Sequence, residues 1–136
     1  MTRRCSVAVR FLIADDSGPL RKALKTVIEE HPDWKVCGEA ANGSEAVVLA
    51  KDLSPDIIVL DLTMPLMNGL EAARQIEHIL PSTPMLLFTM YLTPGVIAEA
   101  QQAGFGAAIS KNMSANLVGG LEVLLRRGPF YAVCSN

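Results

Sequence analysis

The sequence predicts a doubly wound α/β fold, a five-stranded parallel sheet with helices on both faces. Three observations carry this expectation. Hydrophobic periodicity alternates between short apolar runs and amphipathic stretches, five of each. The run "IIVL" at 57–60 is continuously apolar, as suits a strand buried on both faces. Asp15, Asp16, Asp61, Thr89 and Lys111 all fall where an apolar run ends, and in a parallel sheet that edge is where ligands bind.

Each element has a local reason. "SVAVRFLIA" reads as the first strand. A helix follows with Leu20, Leu24, Val27 and Ile28 at helical spacing. Ser17 suits its cap, Pro19 its first turn, and Pro32 its end. "WKVCGEA" is the second strand, with Trp34 packing its start against a helix. "NGSEAVVLAKDL" is a helix with Asn42 or Ser44 near its start and Pro55 beyond its end. "PDIIVLDL" is the third strand, and the loop "TMPLMNG" leads to a helix over "LEAARQIEHIL". "TPMLLFTM" is the fourth strand, and "TPGVIAEAQQAG" a helix ended by Gly104. "GAAIS" is the fifth strand, and "SANLVGGLEVLLRR" the last helix, weakened by Gly119 and Gly120. Right-handed crossovers with helices on both faces give the flavodoxin-like order 2-1-3-4-5, with the first and third strands adjacent. Residues 1–136 form one domain, with a core over about 8–127 and a tail or linker start at 128–136.

Composition narrows the partners. Of 136 residues, 50% are hydrophobic and 19% charged, which describes a compact globular chain. The formal charge of −2 offers no basic excess for nucleic acid. Arg3, Arg4 and Arg10 read as a solvated basic arm. Cys5, Cys37 and Cys134 form no CxxC pair, which fits free thiols in a reducing cytoplasm. The apolar runs are far too short to span a bilayer. His31 and His78 lie far apart, without the spacing of zinc ligands, and read as surface helix residues.

The order 2-1-3-4-5 brings Asp15, Asp16 and Asp61 into one crevice. Three carboxylates repel one another unless a cation sits among them, and Mg²⁺ (or Mn²⁺) favours such oxygen ligands. Asp16 and Asp61 can supply carboxylates to the ion, and Asp15 can hold a coordinated water. Asp61 is then able to attack phosphorus and form an acyl phosphate. Lys111 offers a point charge to a phosphate oxygen and Thr89 a hydroxyl donor. Taken singly, each residue reads as a cap, a turn or a solvated side chain. The ordered set at four strand ends reads as a phosphoryl site.

The segments "IADDS", "PDIIVLDLTMPLMNGLEAARQI", "LLFTM" and "AGFGAAISK" closely resemble the receiver domain of two-component response regulators, over residues 8–127. The NarL/LuxR-type branch is nearest, on "HPDWKVCGEAANGSEAVVLAKDLSPDIIVLDLTMP" and the "TM" after the fourth strand. The resemblance implies that Asp61 is the phosphoacceptor for a histidine kinase or phosphotransfer protein. It makes Asp15 and Asp16 the metal pair, with the backbone carbonyl of Thr63 as a further ligand. Thr89 becomes the switch hydroxyl and Lys111 the phosphate-binding lysine, while Pro65 and Gly69 match the turn after the phosphorylated strand. Such a domain catalyses only its own phosphorylation and dephosphorylation. A homodimer through the fourth-helix face is a further implication.

One departure stands out. Receivers usually carry Tyr or Phe three residues before the lysine, and here that position is Ala108; Phe105 lies in the preceding turn and cannot stand in. The fourth-helix start "LTPGV" is also apolar where the family tends to be acidic. Thr63 and Tyr91 are expected to flank the phosphoryl group, and Tyr91 to prolong its life by obstructing water. Leu66 and Met67 read either as partner-facing or as ordinary loop residues. The leading reading is a phosphorylation switch, either stand-alone or part of a DNA-binding regulator. The alternative is a pseudo-receiver that signals without phosphate. A small-substrate phosphatase is a third reading, but that class usually needs a second acid–base residue, where this sequence has Thr63, and a substrate-closing cap, for which it has no insertion.

Overall fold

The structure is a computed structural model that describes residues 8–134. Its elements are β1 (Val9–Ala14), α1 (Gly18–Glu29), β2 (Trp34–Ala40), α2 (Gly43–Leu53), β3 (Ile57–Leu60), α3 (Gly69–Ile79), β4 (Met85–Thr89), α4 (Pro94–Gln102), β5 (Ala107–Ser110), α5 (Leu117–Leu125) and β6 (Tyr131–Val133), with a 3-10 helix at Lys111–Asn116 before α5. The sheet order is β2-β1-β3-β4-β5-β6, and each adjacent pair is parallel. The first five strands take the expected order.

The sixth strand corrects the expected count of five. Within the stretch read as a tail, Tyr131, Ala132 and Val133 pair with Ala107, Ala108 and Ile109. Three residues are too few to show a period-two pattern, so nothing in the sequence separates this strand from a loop. The chain reaches it through a tight turn. Arg127 adopts φ +56°, Gly128 N–H donates to the Val123 carbonyl at 3.0 Å, and Tyr131 N–H donates to the Gly106 carbonyl at 3.2 Å.

Two apolar layers flank the sheet. On one face, Phe11, Ile13, Val59 and Phe88 pack with Leu24 and Ile28 of α1 and Leu117, Leu121 and Leu124 of α5. On the other, Leu12, Leu60 and Leu87 pack with Ala46 of α2, Ile76 of α3 and Ala100 of α4. Alternation along each strand therefore serves two cores at once, and β3 is buried at every position.

The caps follow the sequence. Ser17 accepts from Leu20 N–H with Pro19 in the first turn, and Asn42, not Ser44, caps α2. Asn68 and Glu71 form a capping box on α3, and Thr93 caps α4. Gly104 lies at φ +102° one residue beyond the α4 cap Ala103. The last helix departs from expectation at its start and at Gly120. It begins at Leu117, because Met113 interrupts the preceding turn with φ −114° and ψ 40°. Gly120 brings α5 close to the sheet, since a Cβ there would lie 2.5 Å from Ile109 Cδ1 and 3.2 Å from the Tyr131 ring.

Two further expectations change. Arg10 is no solvated arm: its guanidinium donates to the Leu53 and Ser54 carbonyls at 2.8 and 3.1 Å, holding the end of α2. His31 lies beyond α1 and stacks on Trp34, with ring centres 4.0 Å apart. Trp34 starts β2 and is buried, also packing on Phe11. Arg3, Arg4 and Cys5 fall outside the described residues.

Leu66 is the one exposed large apolar residue in the described chain that also has positive φ, at +68° and 86% exposed. A left-handed Leu costs about 1–2 kcal/mol, and glycine would return about 0.5–1 of that as chain entropy. Leu66→Gly is expected to raise stability by about 0.5 kcal/mol or slightly more. A higher urea midpoint with an unchanged slope would show it; a lower midpoint would mean that the side chain packs more than its exposure indicates.

Candidate functional site

Backbone pairing delivers the acids. Asp15 N–H donates to the Ala40 carbonyl and Asp61 N–H to the Ala14 carbonyl, each at 3.0 Å, so both residues extend the strand ladder by one step. Asp15 is 2% exposed, Asp61 7% and Thr89 0%, whereas Asp16 is exposed. Behind Asp61 the backbone is tightly packed. A Cβ on Gly69 would lie 2.1 Å from the Asp61 carbonyl oxygen, and Gly69 N–H donates to the Leu62 carbonyl at 2.8 Å. Glycine lets the start of α3 brace the strand end. Buried Met64 packs beneath the same loop.

Lys111 closes the site from β5. Its Nζ donates to Asp15 Oδ2 at 2.6 Å and to Asp61 Oδ2 at 3.2 Å. Asp15 Oδ1 accepts from Ser17 N–H at 2.9 Å, and Asp61 Oδ1 from Leu62 N–H at 2.8 Å. The Thr89 hydroxyl lies beside the Asp61 carboxylate and helps hold its charged form, and it accepts from Tyr91 N–H at 3.3 Å. Burial pushes the Asp61 carboxyl up from its ordinary range; the Lys111 charge opposes that rise, Asp15 adds to it, and hydrogen bonds from Lys111 and Thr89 oppose it.

Asp15, Asp16 and Asp61 each offer a carboxylate oxygen within 4.8 Å of the others. Three carboxylates against one ammonium leave two negative charges. Hard oxygen donors with excess negative charge, one of them open to solvent, suit a divalent cation such as Mg²⁺.

The remaining candidates sit as follows. Thr63 is exposed in the loop two residues beyond Asp61. Tyr91 is 64% exposed two residues beyond Thr89. Ala108 is fully buried, between Leu87 and Ala132 in the sheet. Phe105 precedes β5 and packs on the α4 side. Leu66 and Met67 lie in the loop beside the acids, with Met67 half-buried. Arg21 escaped the sequence reading. It donates to the Asp15 carbonyl at 2.6 Å and pairs with Glu39 at 3.3 Å, fixing the β1–α1 loop from a helix face that reads as ordinary solvated charge.

Comparison with known proteins agrees with this geometry. Residues 11–119 match the family described as the response regulator receiver domain. A protein-glutamate methylesterase/protein-glutamine glutaminase of Alkalilimnicola ehrlichii is 41% identical over 121 residues, covering 88% of this chain and 30% of that protein. The transcriptional regulatory protein LnrK of Bacillus subtilis is 34% identical over 110 residues, covering 81% and 50%. The chain thus spans half or less of the length of these relatives. Among solved structures, a LuxR-family response regulator from Aurantimonas sp. SI85-9A1 superposes with TM-score 0.87 at 32% identity, over 93% of this chain and 89% of that one. The response regulator domain of Thermotoga maritima CheB gives 0.82 at 30%, over 90% and 99%. No described helix is long and apolar enough to cross a membrane.

Raising a carboxyl pKa on folding means that the native state holds its proton more tightly than the unfolded chain. Ionised Asp61 therefore destabilises the fold at neutral pH, and this effect disappears as pH falls through the carboxylate range. Without added metal, Asp61→Asn is expected to be more stable at pH 7, by about 1 kcal/mol, with the gap closing at acid pH. Denaturant titrations at the two pH values check this; an equal or less stable variant at pH 7 would contradict it.

Proposed function

The chain belongs to the response regulator receiver family, and from that premise we propose that it is a phosphorylation switch whose Asp61 accepts a phosphoryl group from a histidine kinase or phosphotransfer protein. The observation that carries this reading is the reach of Lys111 to both Asp15 and Asp61, with buried Thr89 beside the same Asp61 carboxylate. A structural ion pair needs one acid. Here one lysine and one hydroxyl converge on the same buried carboxylate beside two further acids, at the mouth of a parallel sheet.

Each residue has a task. As the P–N bond of a phosphohistidine breaks, the Asp61 carboxylate forms the new P–O bond, and the freed imidazole takes up a proton. Lys111 meets the charge on the phosphoryl oxygens, and Thr89 donates a hydrogen bond to one of them. Most of the effect is positioning and charge neutralisation. Asp15, Asp16, Asp61 and the Thr63 carbonyl would hold Mg²⁺, which would supply Lewis-acid neutralisation of the phosphoryl charge. The chain's only chemistry in this reading is on itself, and a homodimer is compatible with it.

The relatives join their receiver-like portion to different kinds of protein, a methylesterase and a transcriptional regulator. We infer that this chain passes its state to such an output region or to a separate protein, without touching nucleic acid itself. Free Cys37 and Cys134 fit a reducing cytoplasm. The pseudo-receiver alternative rests on Ala108 alone, and it leaves the convergence on Asp61 without a purpose.

Incubation with radiolabelled acetyl phosphate and Mg²⁺ is expected to label the chain on Asp61. Asp61→Asn and metal chelation should each abolish labelling, and equal labelling of Asp61→Asn would overturn the proposal. Tyr91, exposed and tied through its N–H to Thr89, is assigned a shielding role toward water. Tyr91→Glu should therefore shorten the half-life of the label several-fold, and an unchanged half-life would remove Tyr91 from that role.

A further inference from the structure

We propose that the C-terminal strand β6 is a displaceable strap that reads the state of the acid pocket through β5. This rests on the phosphoacceptor reading and adds to it the element that responds. Lys111 immediately follows Ser110, the last residue of β5, and among the described residues β6 has no other strand neighbour. In the structure Lys111 is committed to Asp15 at 2.6 Å and less closely to Asp61 at 3.2 Å. A cation among the acids would compete with the ammonium for the Asp15 carboxylate, and a phosphoryl group on Asp61 would give the ammonium a new partner. Loading the pocket therefore redirects Lys111, whose backbone continues directly from the end of β5 and passes the change to that strand in this proposal.

β6 is the piece of the sheet least able to resist such a shift. Its ladder spans three residues on one side only, and Ala132 is exposed. Its hold depends on side chains of its own. The Tyr131 ring sits against the space left by Gly120 of α5, while Phe130 packs on the layer that contains Ala108 and Ala100 of α4. The turn before it stores backbone strain at Arg127, φ +56°, and Arg127 is tethered to the Ser82 carbonyl at 3.2 Å. Short, half-exposed ladders open at low free energy. Buried Ala108 and exposed Ala132 face each other in register, so no large side chain at this step resists sliding of the two strands. Movement of β5 toward the pocket loosens β6 and uncovers the β5 edge between α4 and α5.

Hydrogen exchange of the full 136-residue chain, read by mass spectrometry, tests this with Mg²⁺ and beryllofluoride as the phosphoryl probe. Exchange in the peptide containing Tyr131–Cys134 is expected to accelerate roughly fivefold on addition of the probe. Coupling is reciprocal, so Tyr131→Ala, which loosens the strap from outside the pocket, should tighten beryllofluoride binding by a similar factor. Protection around Asp61 and Thr89 with unchanged β6 exchange would overturn the strap and leave the phosphoacceptor reading standing. No response at Asp61 or Thr89 would overturn both.

Discussion

The part-buried ammonium of Lys111 between Asp15 and Asp61 is the interaction on which the rest of the site depends. Two carboxylates that are 2% and 7% exposed would repel strongly in so buried a place, where burial already pushes the Asp61 carboxyl up from its ordinary range. The lysine makes their ionised coexistence tolerable at distances of 2.6 and 3.2 Å. It arrives from a strand two places away from β3 in the sheet, so the pocket exists only when β1, β3, β4 and β5 are all in register. Site assembly and sheet assembly are one event.

Glycines set the spacing that this event needs. Gly69 lets α3 start against the carbonyl of Asp61, and Gly43 lets α2 start against the carbonyl of Met67, where a Cβ would lie 2.1 and 2.0 Å from those oxygens. The loop from Asp61 to Gly69 is thereby clamped at two points. Arg21 does the same for the opposite loop by holding the Asp15 carbonyl. The chemistry-bearing side chains are few, but their positions are fixed by backbone contacts from three helices.

The acids, Thr89 and Lys111 were legible in the sequence because each ends an apolar run, and apolar runs of this kind become adjacent parallel strands. Two helix starts were legible because Ser17 and Asn42 carry their own capping chemistry, whereas the caps at Asn68 and Thr93 emerge only in the structure. What escaped depends on partners distant in sequence. Arg10 and Arg21 look like surface charge until the Leu53 carbonyl, 43 residues away, and the Glu39 carboxylate, 18 residues away, come into reach. Gly120 reads as a weak helix position, yet its value lies in the room it gives Ile109 and Tyr131. β6 is too short to show a period, and its existence depends on β5 offering an open edge.

The Lys111–Asp15 contact has a consequence for the life of the protein before any signal arrives. A site built from acids alone would tie folding to ion availability, as in small metal-dependent domains. Here an internal cation already offsets part of the repulsion, so the chain carries its own placeholder. Newly made protein can fold and persist while free Mg²⁺ fluctuates, which separates how much of it a cell holds from how readily it responds.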